Sequence, residues 1–98
     1  MKVLVTGGTG YLGSAIVRAA VEAGHEPVVF ARRARADQEI RTIEGDVRDT
    51  RAVTRAAEGV DAICHTAALV SLWRRDPSEF DAINVAGLQS ALAAARAL

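Results

Sequence analysis

The stretch from Val3 to Gly13, VLVTGGTGYLG, restricts the fold of this chain more than any other part of the sequence. It opens with an apolar run typical of a buried strand, passes through a glycine-rich segment, and enters a sequence with helical apolar spacing. We expect Gly7 to form a tight turn, Gly10 to let a pyrophosphate approach the backbone, and Gly13 to let the helix pack closely. The first N–H groups of the helix would then face the phosphate. The alternative is an ordinary glycine-rich turn between a strand and a helix.

Composition and charge are those of one small, neutral domain. The chain has 98 residues, half of them apolar, with 12 basic and 12 acidic side chains and a formal net charge of zero. Balanced charge does not favour a nucleic-acid surface, and no apolar run is long enough to span a membrane. Cys64 is the only cysteine, so we expect no internal disulfide, and because the first predicted strand follows Met1 almost directly we expect no signal peptide. We therefore expect a cytoplasmic protein.

Strand and helix patterns alternate along the chain. Their spacing predicts strands at residues 3–5, 28–31, 40–44 and 60–65, and helices at residues 11–23, 50–57 and from 78 onward. Gly24 and Gly59 are expected to end the first two helices, and Asp49 or Thr50 to cap the second. Such alternation is typical of an α/β fold with parallel strands. The expected strand order is 3-2-1-4, one half of a doubly wound sheet, in a single domain over residues 1–98.

Polar or glycine-rich segments follow the predicted strands. Parallel strands end at one edge of a sheet, so this order brings together the turn at residues 7–13, Arg32, Asp46 and residues 65–68. The ligand crevice of such a sheet lies where the strand order reverses, here between the first and fourth strands. This convergence predicts a nucleotide-binding site.

Four short motifs occur along the chain: TGGTGYLG at residues 6–13, GDVRD at 45–49, HTAA at 65–68 and NVAG at 84–87. Together they resemble the N-terminal part of the extended short-chain dehydrogenases/reductases, the NAD-dependent epimerase/dehydratase superfamily. The run HTAALVSLWRRDP followed by NVAG is most similar to dihydroflavonol reductase-like and hopanoid-associated epimerase-like members. The resemblance covers nearly the whole chain but only the first part of a family domain. It implies a Rossmann-like fold and a fragment of a longer enzyme.

The resemblance implies roles at the phosphate and adenine ends of the cofactor. Tyr11 and Leu12 would donate backbone N–H groups to the pyrophosphate. Asp46 would accept a hydrogen bond from the adenine amino group, and Val47 would pack on the ring. The alternative for Asp46 is an ordinary turn residue.

The resemblance also implies roles at the nicotinamide end. Ala67 and Ala68 would line the path of the ribose, and Thr66 in the same motif is taken as a cofactor-binding residue. Asn84 matches the family asparagine that helps to hold the active-site water network, which would make it an accessory to catalysis. The alternative for Asn84 is an ordinary polar helix position. His65, at the end of a strand, is interpreted as structural.

The end of the second strand predicts the choice of coenzyme. NAD-preferring members place an acidic residue there, where it accepts hydrogen bonds from the ribose 2′-OH. Here the position is Ala31, followed by Arg32 and Arg33, and the next acid, Asp37, comes well into the loop. Since arginine pairs with phosphate, we expect these arginines to bind the 2′-phosphate of NADP, with NAD as the alternative. The competing interpretation is that both are solvated loop residues.

The chain lacks the catalytic pair of the family that it resembles. No Tyr-x-x-x-Lys occurs, and the only tyrosine is Tyr11, in the glycine turn. In the complete enzyme such a pair would move a proton while hydride passes between nicotinamide and a small-molecule substrate. We therefore expect no turnover by these 98 residues alone.

Three functions stay open from the sequence. The first is an NADP-dependent oxidoreductase or epimerase, the second a non-catalytic redox-sensing module, and the third a sugar-nucleotide epimerase or dehydratase with bound NAD. A homodimer is among the expected assemblies, because residues 60–65 would form an apolar strand at the sheet edge. Trp73 would either form a wall on the substrate side or anchor its loop. No metal is expected, since His25, His65 and Cys64 do not form a ligand set on one element.

Overall fold

The computed structural model describes residues 1–8, 10–33, 40–66 and 84–98. In these ranges four strands and three helices alternate: β1 (Lys2–Thr6), α1 (Tyr11–Glu22), β2 (Glu26–Ala31), β3 (Thr42–Glu44), α2 (Thr50–Ala56), β4 (Ala62–His65) and α3 (Ala86–Arg96). Residues 78–83, where the last helix is predicted to begin, lie outside the described ranges. Within those ranges no helix is both long and apolar enough to cross a membrane.

The four strands form one parallel sheet in the order β3-β2-β1-β4. The predicted α/β, Rossmann-like fold with strand order 3-2-1-4 is therefore confirmed. β1 lies inside the sheet, where Leu4 is in register with Val28 on one side and Ile63 on the other. Because the strands are parallel, the residues that follow each of them emerge at the same edge of the sheet.

Helices cover both faces of the sheet, so successive residues of one strand enter different cores. Leu4 belongs to a core that includes Val53 of α2 and Ala94 of α3. Val5 belongs to a second core that includes Val17 of α1. Leu4 and Val5 have no exposed surface. A strand buried on both faces has a continuous apolar run rather than an alternating pattern, which is why β1 is recognisable from the sequence.

The helix ends follow the predicted cap and stop residues. The Asp49 carboxylate accepts a hydrogen bond from the Ala52 N–H at 3.2 Å, which caps α2. Gly24 and Gly59 come after α1 and α2 with φ values of 83° and 79°. These values lie in the left-handed region, where glycine ends helices without steric cost.

The strand bounds differ in part from the predicted ones. β2 starts earlier than predicted and includes Pro27. Since β3 pairs with β2 only from Val29 onward, the missing N–H of Pro27 costs no hydrogen bond between β2 and β3. β3 and β4 both start later than predicted, β4 at Ala62. β4 starts late because the Val60 N–H donates to the Ala57 carbonyl at 3.1 Å, so that Val60 belongs to the turn after α2.

Phe30 joins the sheet to the segment that carries Asp46. Its side chain is fully buried, and a Cβ built on Gly45 would lie 2.5 Å from its ring. We expect Phe30→Ala to lower the free energy of unfolding by about 3–5 kcal/mol, because the core loses its contacts and keeps a cavity. Val21→Ala on α1, where the valine is half exposed, should change it by less than about 0.5 kcal/mol. Urea denaturation of both variants checks this, and equal losses would contradict it.

Candidate nucleotide-binding site

The glycine-rich turn leaves β1 at the carboxyl edge of the sheet. Gly7 has a φ of 72°, a conformation that side-chain-bearing residues rarely adopt. The Gly7 N–H donates to the Phe30 carbonyl at 2.8 Å, and the Gly10 N–H donates to the Gly7 carbonyl at 3.0 Å. The turn is therefore tight, as the sequence predicts, and is tied to β2.

Gly13 and Gly10 have different surroundings. A Cβ on Gly13 would overlap the Gly7 carbonyl, so α1 sits directly on the turn and leaves no room for a side chain. Among the described residues, the one atom within 4 Å of a Cβ on Gly10 would be the Gly7 oxygen, at 3.3 Å. Gly13 thus permits close packing inside the protein, whereas the side of Gly10 away from Gly7 is open with respect to the described residues.

The first turn of α1 presents donors to the open side of the turn. The Tyr11 and Leu12 side chains are 98% and 62% exposed. Among the described residues, no acceptor is within hydrogen-bond reach of their backbone N–H groups. The first turn carries no acidic side chain, so the positive end of the helix dipole is not neutralised locally. This arrangement fits an anion such as a pyrophosphate.

The two arginines that are predicted to determine coenzyme preference also lie at the carboxyl edge of the sheet. Ala31 is buried at the end of β2, and Arg32 and Arg33 directly after it are exposed. The Gly45 N–H donates to the Ala31 carbonyl at 3.0 Å. Arg32 and Asp46 therefore occupy adjacent positions where β2 and β3 end.

Asp46 forms a forked ion pair with Arg48. Nη2 of Arg48 donates to Oδ2 at 2.6 Å, and Nε lies 3.0 Å from both carboxylate oxygens. The backbone N–H of Arg48 donates to Oδ1 at 2.9 Å. The side-chain hydrogen bonds from Arg48 are the main cause of the lowered pKa of Asp46; partial burial opposes them, and the charge of Arg32 adds to them. The carboxyl group is therefore ionised at neutral pH.

Val47, between these two charged residues, faces the core. It is 8% exposed and packs with residues of β1, β2 and α2. A Cβ on Gly87 would lie 3.0 Å from Val47 Cγ2 and 3.7 Å from His65 Cε1, so the start of α3 rests on these two side chains. A contact of Val47 with an adenine ring would use only the small exposed part of its side chain.

A partly buried hydrogen-bond network joins the ends of β1 and β4. Oγ1 of the fully buried Thr6 lies 2.7 Å from Nδ1 of His65. The Thr66 N–H donates to Oγ1 of Thr6 at 3.1 Å, and the Thr66 hydroxyl donates to the Thr6 carbonyl at 2.5 Å. Burial lowers the pKa of His65. The network holds Thr66 beside the glycine-rich turn and agrees with the structural interpretation of His65.

The remaining predicted residues lie around α3 or outside the described ranges. Asn84 lies in the short π-helical segment directly before α3. Ala67, Ala68 and Trp73 lie outside the described residues. Sequence reasoning assigned no role to Thr6 or Arg48, although both stand inside recognised motifs. The available signals were a hydroxyl residue before the first glycine of the turn and an arginine two positions after the acid.

An open pocket of about 520 Å³ lies at the opposite edge of the sheet, where α2 and α3 end. Its lining consists of Thr54, Ala57, Glu58, Gly59, Val60, Ala94, Ala97 and Leu98. It includes none of the predicted site residues. Within the described ranges, no three His, Cys, Asp or Glu side chains are grouped as metal ligands.

Known proteins resemble this chain in both sequence and structure. The model of the NAD dependent epimerase/dehydratase family matches residues 3–98. A 2-alkyl-3-oxoalkanoate reductase from Stenotrophomonas maltophilia (strain K279a) is 41% identical over 100 residues, which cover 99% of this chain and 30% of the reductase. This chain thus spans about a third of the length of that curated relative.

Two solved structures with NAD share the fold. A short-chain dehydrogenase/reductase superfamily protein from Agrobacterium tumefaciens with bound NAD has a TM-score of 0.86 and 32% identity, over 99% of this chain and 29% of its own. The UDP-glucose 4-epimerase of Thermus thermophilus in complex with NAD has a TM-score of 0.85 and 32% identity, over 98% of this chain and 34% of its own.

The hydrogen-bond network around His65 predicts a pH dependence of stability. Because the folded-state pKa of His65 is lowered, the unfolded chain binds more protons below the ordinary histidine pKa of about 6.5. The contribution of His65 is therefore complete above that pH and is lost as the pH falls through it toward the folded-state pKa. Its slope cannot exceed about 1.4 kcal/mol per pH unit.

His65→Asn should remove this dependence, since asparagine offers a polar atom near the position of Nδ1 but does not titrate. We expect the difference in unfolding free energy between the two proteins to shrink between pH 7.5 and pH 5.5, measured by urea denaturation. His25 and the carboxylates are the same in both proteins, so their contributions cancel. Parallel pH profiles would contradict the prediction.

Proposed function

Because the chain belongs to the NAD-dependent epimerase/dehydratase family, we propose that it forms the dinucleotide-binding part of an NADP(H)-dependent oxidoreductase or epimerase of the extended short-chain dehydrogenase/reductase type. The proposal rests on the first turn of α1, where the N–H groups of Tyr11 and Leu12 lie beside the open side of Gly10. The presence of NAD in similar solved structures supports it. When bound, the nicotinamide supplies hydride transfer to or from a carbonyl or hydroxyl carbon.

The glycine-rich turn at residues 7–13, called the phosphate turn from here on, would bind the pyrophosphate through its backbone. Tyr11 and Leu12 would donate their N–H groups, and the positive end of the α1 dipole would stabilise the negative charge. Gly10 leaves space for the phosphate oxygens, whereas a side chain at this position would fill part of it. None of these contacts needs a side chain of this protein. They would therefore hold either coenzyme equally.

The adenine would bind at the end of β3. An ionised carboxylate has about four lone-pair positions. Three N–H groups of Arg48 already make four contacts with these positions, because Nε lies 3.0 Å from both oxygens. The adenine amino group would therefore donate to Asp46 in place of one of the two contacts of Nε. Val47 would contact the ring with its exposed edge.

The nicotinamide end would bind beside the end of β4. We assign Thr66, Ala67 and Ala68 to the path of the ribose and Asn84 to an accessory role near the reacting groups. The hydrogen bonds between Thr66 and Thr6 support this assignment, since they hold Thr66 next to the phosphate turn. A dinucleotide bound across β1 would then extend from Asp46 to this segment.

The reaction of the complete protein is proposed to be carbonyl reduction or its reverse, in the dihydroflavonol reductase-like branch. The identity to a 2-alkyl-3-oxoalkanoate reductase supports a reductase. A sugar-nucleotide epimerase or dehydratase with bound NAD is the second candidate, which the likeness to a UDP-glucose 4-epimerase supports. NADPH oxidation with a carbonyl substrate favours the reductase, and conversion of a sugar nucleotide without added coenzyme favours the epimerase. Dinucleotide binding without either activity favours a redox-sensing module.

The pyrophosphate contact is tested by Gly10→Val. Gly10 has a φ of −77° and a ψ of 177°, an extended conformation that valine adopts easily, so the fold should be retained. The branched side chain would occupy the space assigned to the phosphate, and binding of NADPH and NADH should fall below detection by isothermal calorimetry. Ala15→Val, at an exposed position of α1, is the control and should bind both normally. Unchanged affinity in folded Gly10→Val would refute the assignment of the turn.

The preference for NADP(H) is tested by Arg32→Ala combined with Arg33→Ala. A charge-assisted hydrogen bond is worth roughly 1.5–3 kcal/mol, so the unmodified protein should prefer NADPH by about tenfold to somewhat over a hundredfold. The double variant should lose most of this preference, with NADH affinity nearly unchanged. Arg41→Ala, exposed at the opposite end of β3, is the matched control. Equal affinities in the unmodified protein, or a preference that survives in the double variant, would contradict the assignment.

A further inference from the structure

Asp46 carries an exposed ion pair at the edge of the candidate site. Arg48 holds the carboxylate through contacts of 2.6 Å from Nη2 and 3.0 Å from Nε, and through its own backbone N–H at 2.9 Å. Both side chains stay partly exposed, at 47% for Arg48 and 39% for Asp46. Exposed pairs add little to folding stability. We therefore consider the effect of this ion pair on a ligand that binds beside it.

A second arginine approaches Asp46 from the neighbouring strand. Ala31 is in register with Glu44, and the Gly45 N–H donates to the Ala31 carbonyl at 3.0 Å. Arg32 follows Ala31 and Asp46 follows Gly45, so the two side chains leave the sheet at adjacent positions. The charge of Arg32 contributes to the lowered pKa of Asp46, as expected for groups at this spacing.

An unpaired carboxylate here would oppose NADP. Arg32 is the residue that the proposed function assigns to the 2′-phosphate, whose negative charge would then lie near Asp46. Like charges at such a separation repel each other. The forked pair with Arg48 makes the carboxylate part of a neutral group, and the field of a neutral pair falls off faster with distance than that of a single charge.

We propose that Arg48 determines coenzyme specificity by neutralising Asp46, which allows a 2′-phosphate to bind beside Arg32. The inference rests on the proposed dinucleotide function. Arg48 acts through Asp46 and does not touch the coenzyme. An arginine that bound the phosphate directly would keep its effect when Asp46 is removed. An arginine that only braced the turn would affect both coenzymes alike.

The test measures the ratio of the Kd for NADH to the Kd for NADPH by calorimetry at low salt, and compares this ratio between the unmodified protein and its variants. This ratio isolates the 2′-phosphate, because the rest of the molecule is common to both coenzymes. The variants are Arg48→Gln, Arg48→Lys, Asp46→Asn and Arg48→Gln combined with Asp46→Asn. Arg51→Gln is the matched control, since it removes the same charge from an exposed position of α2. Circular dichroism establishes that each variant is folded.

Arg48→Gln should lower the ratio about three- to tenfold, and the loss should shrink in 0.5 M salt. Arg48→Lys and Arg51→Gln should leave it within about twofold. In the double variant the ratio should return at least to its unmodified value, because the repelling carboxylate is gone. Asp46→Asn alone should raise the ratio, and this variant tests the inference even if Arg48→Gln does not fold.

Three outcomes would overturn the inference. An unchanged ratio in Arg48→Gln would leave Arg48 with no part in specificity. A ratio still lowered in the double variant would mean direct contact with the phosphate. A fall in Asp46→Asn would show that the carboxylate favours the 2′-phosphate. If the unmodified protein binds neither coenzyme, the proposed function fails first and the inference with it, so the two failures are distinguishable.

Discussion

The close approach of α1 to the end of β1 determines both the shape of the candidate site and the packing of one face of the sheet. Because Gly13 has no side chain, the first turn of α1 lies against the Gly7 carbonyl. This contact presents the leading N–H groups of the helix to the open side of the turn. It also seats α1 on the sheet, where Val17 joins Val5 in one of the two cores. A single steric constraint therefore sets both the donor geometry of the site and the packing of one face of the sheet.

The features that the sequence predicted correctly are those that depend on near neighbours along the chain. β1 is an apolar run because both of its faces are buried. Gly24 and Gly59 end helices through their own φ values, and Asp49 caps α2 through a contact three residues away. The strand order follows from these elements because few connections are possible between alternating strands and helices. The site then lies where parallel strands end, which requires no knowledge of side-chain positions.

The polar contacts within the site could not be predicted in the same way. Thr6 forms a hydrogen bond with His65, which lies 59 positions away along the chain, and the periodicity of apolar residues does not indicate such a contact. Asp46 and Arg48 are two positions apart, yet the fork forms only in one turn conformation and one arrangement of the arginine side chain. The predicted start of β4 is too early, because the N–H of Val60 donates to the turn after α2 and β4 begins at Ala62. Apolarity alone does not reveal this.

The two neighbours of β1 in the sheet, β2 and β4, lie far apart along the chain. β2 follows within the first third of the chain, whereas β4 ends only at His65. Pairing over such a separation is slow, since a long loop must close before any contact compensates for its lost entropy. Until β4 is made, Thr6 lacks its partners and one side of an apolar strand stays open. During synthesis, the strand that leads into the glycine-rich turn therefore stays open to mispairing with other chains for longer than β2 does.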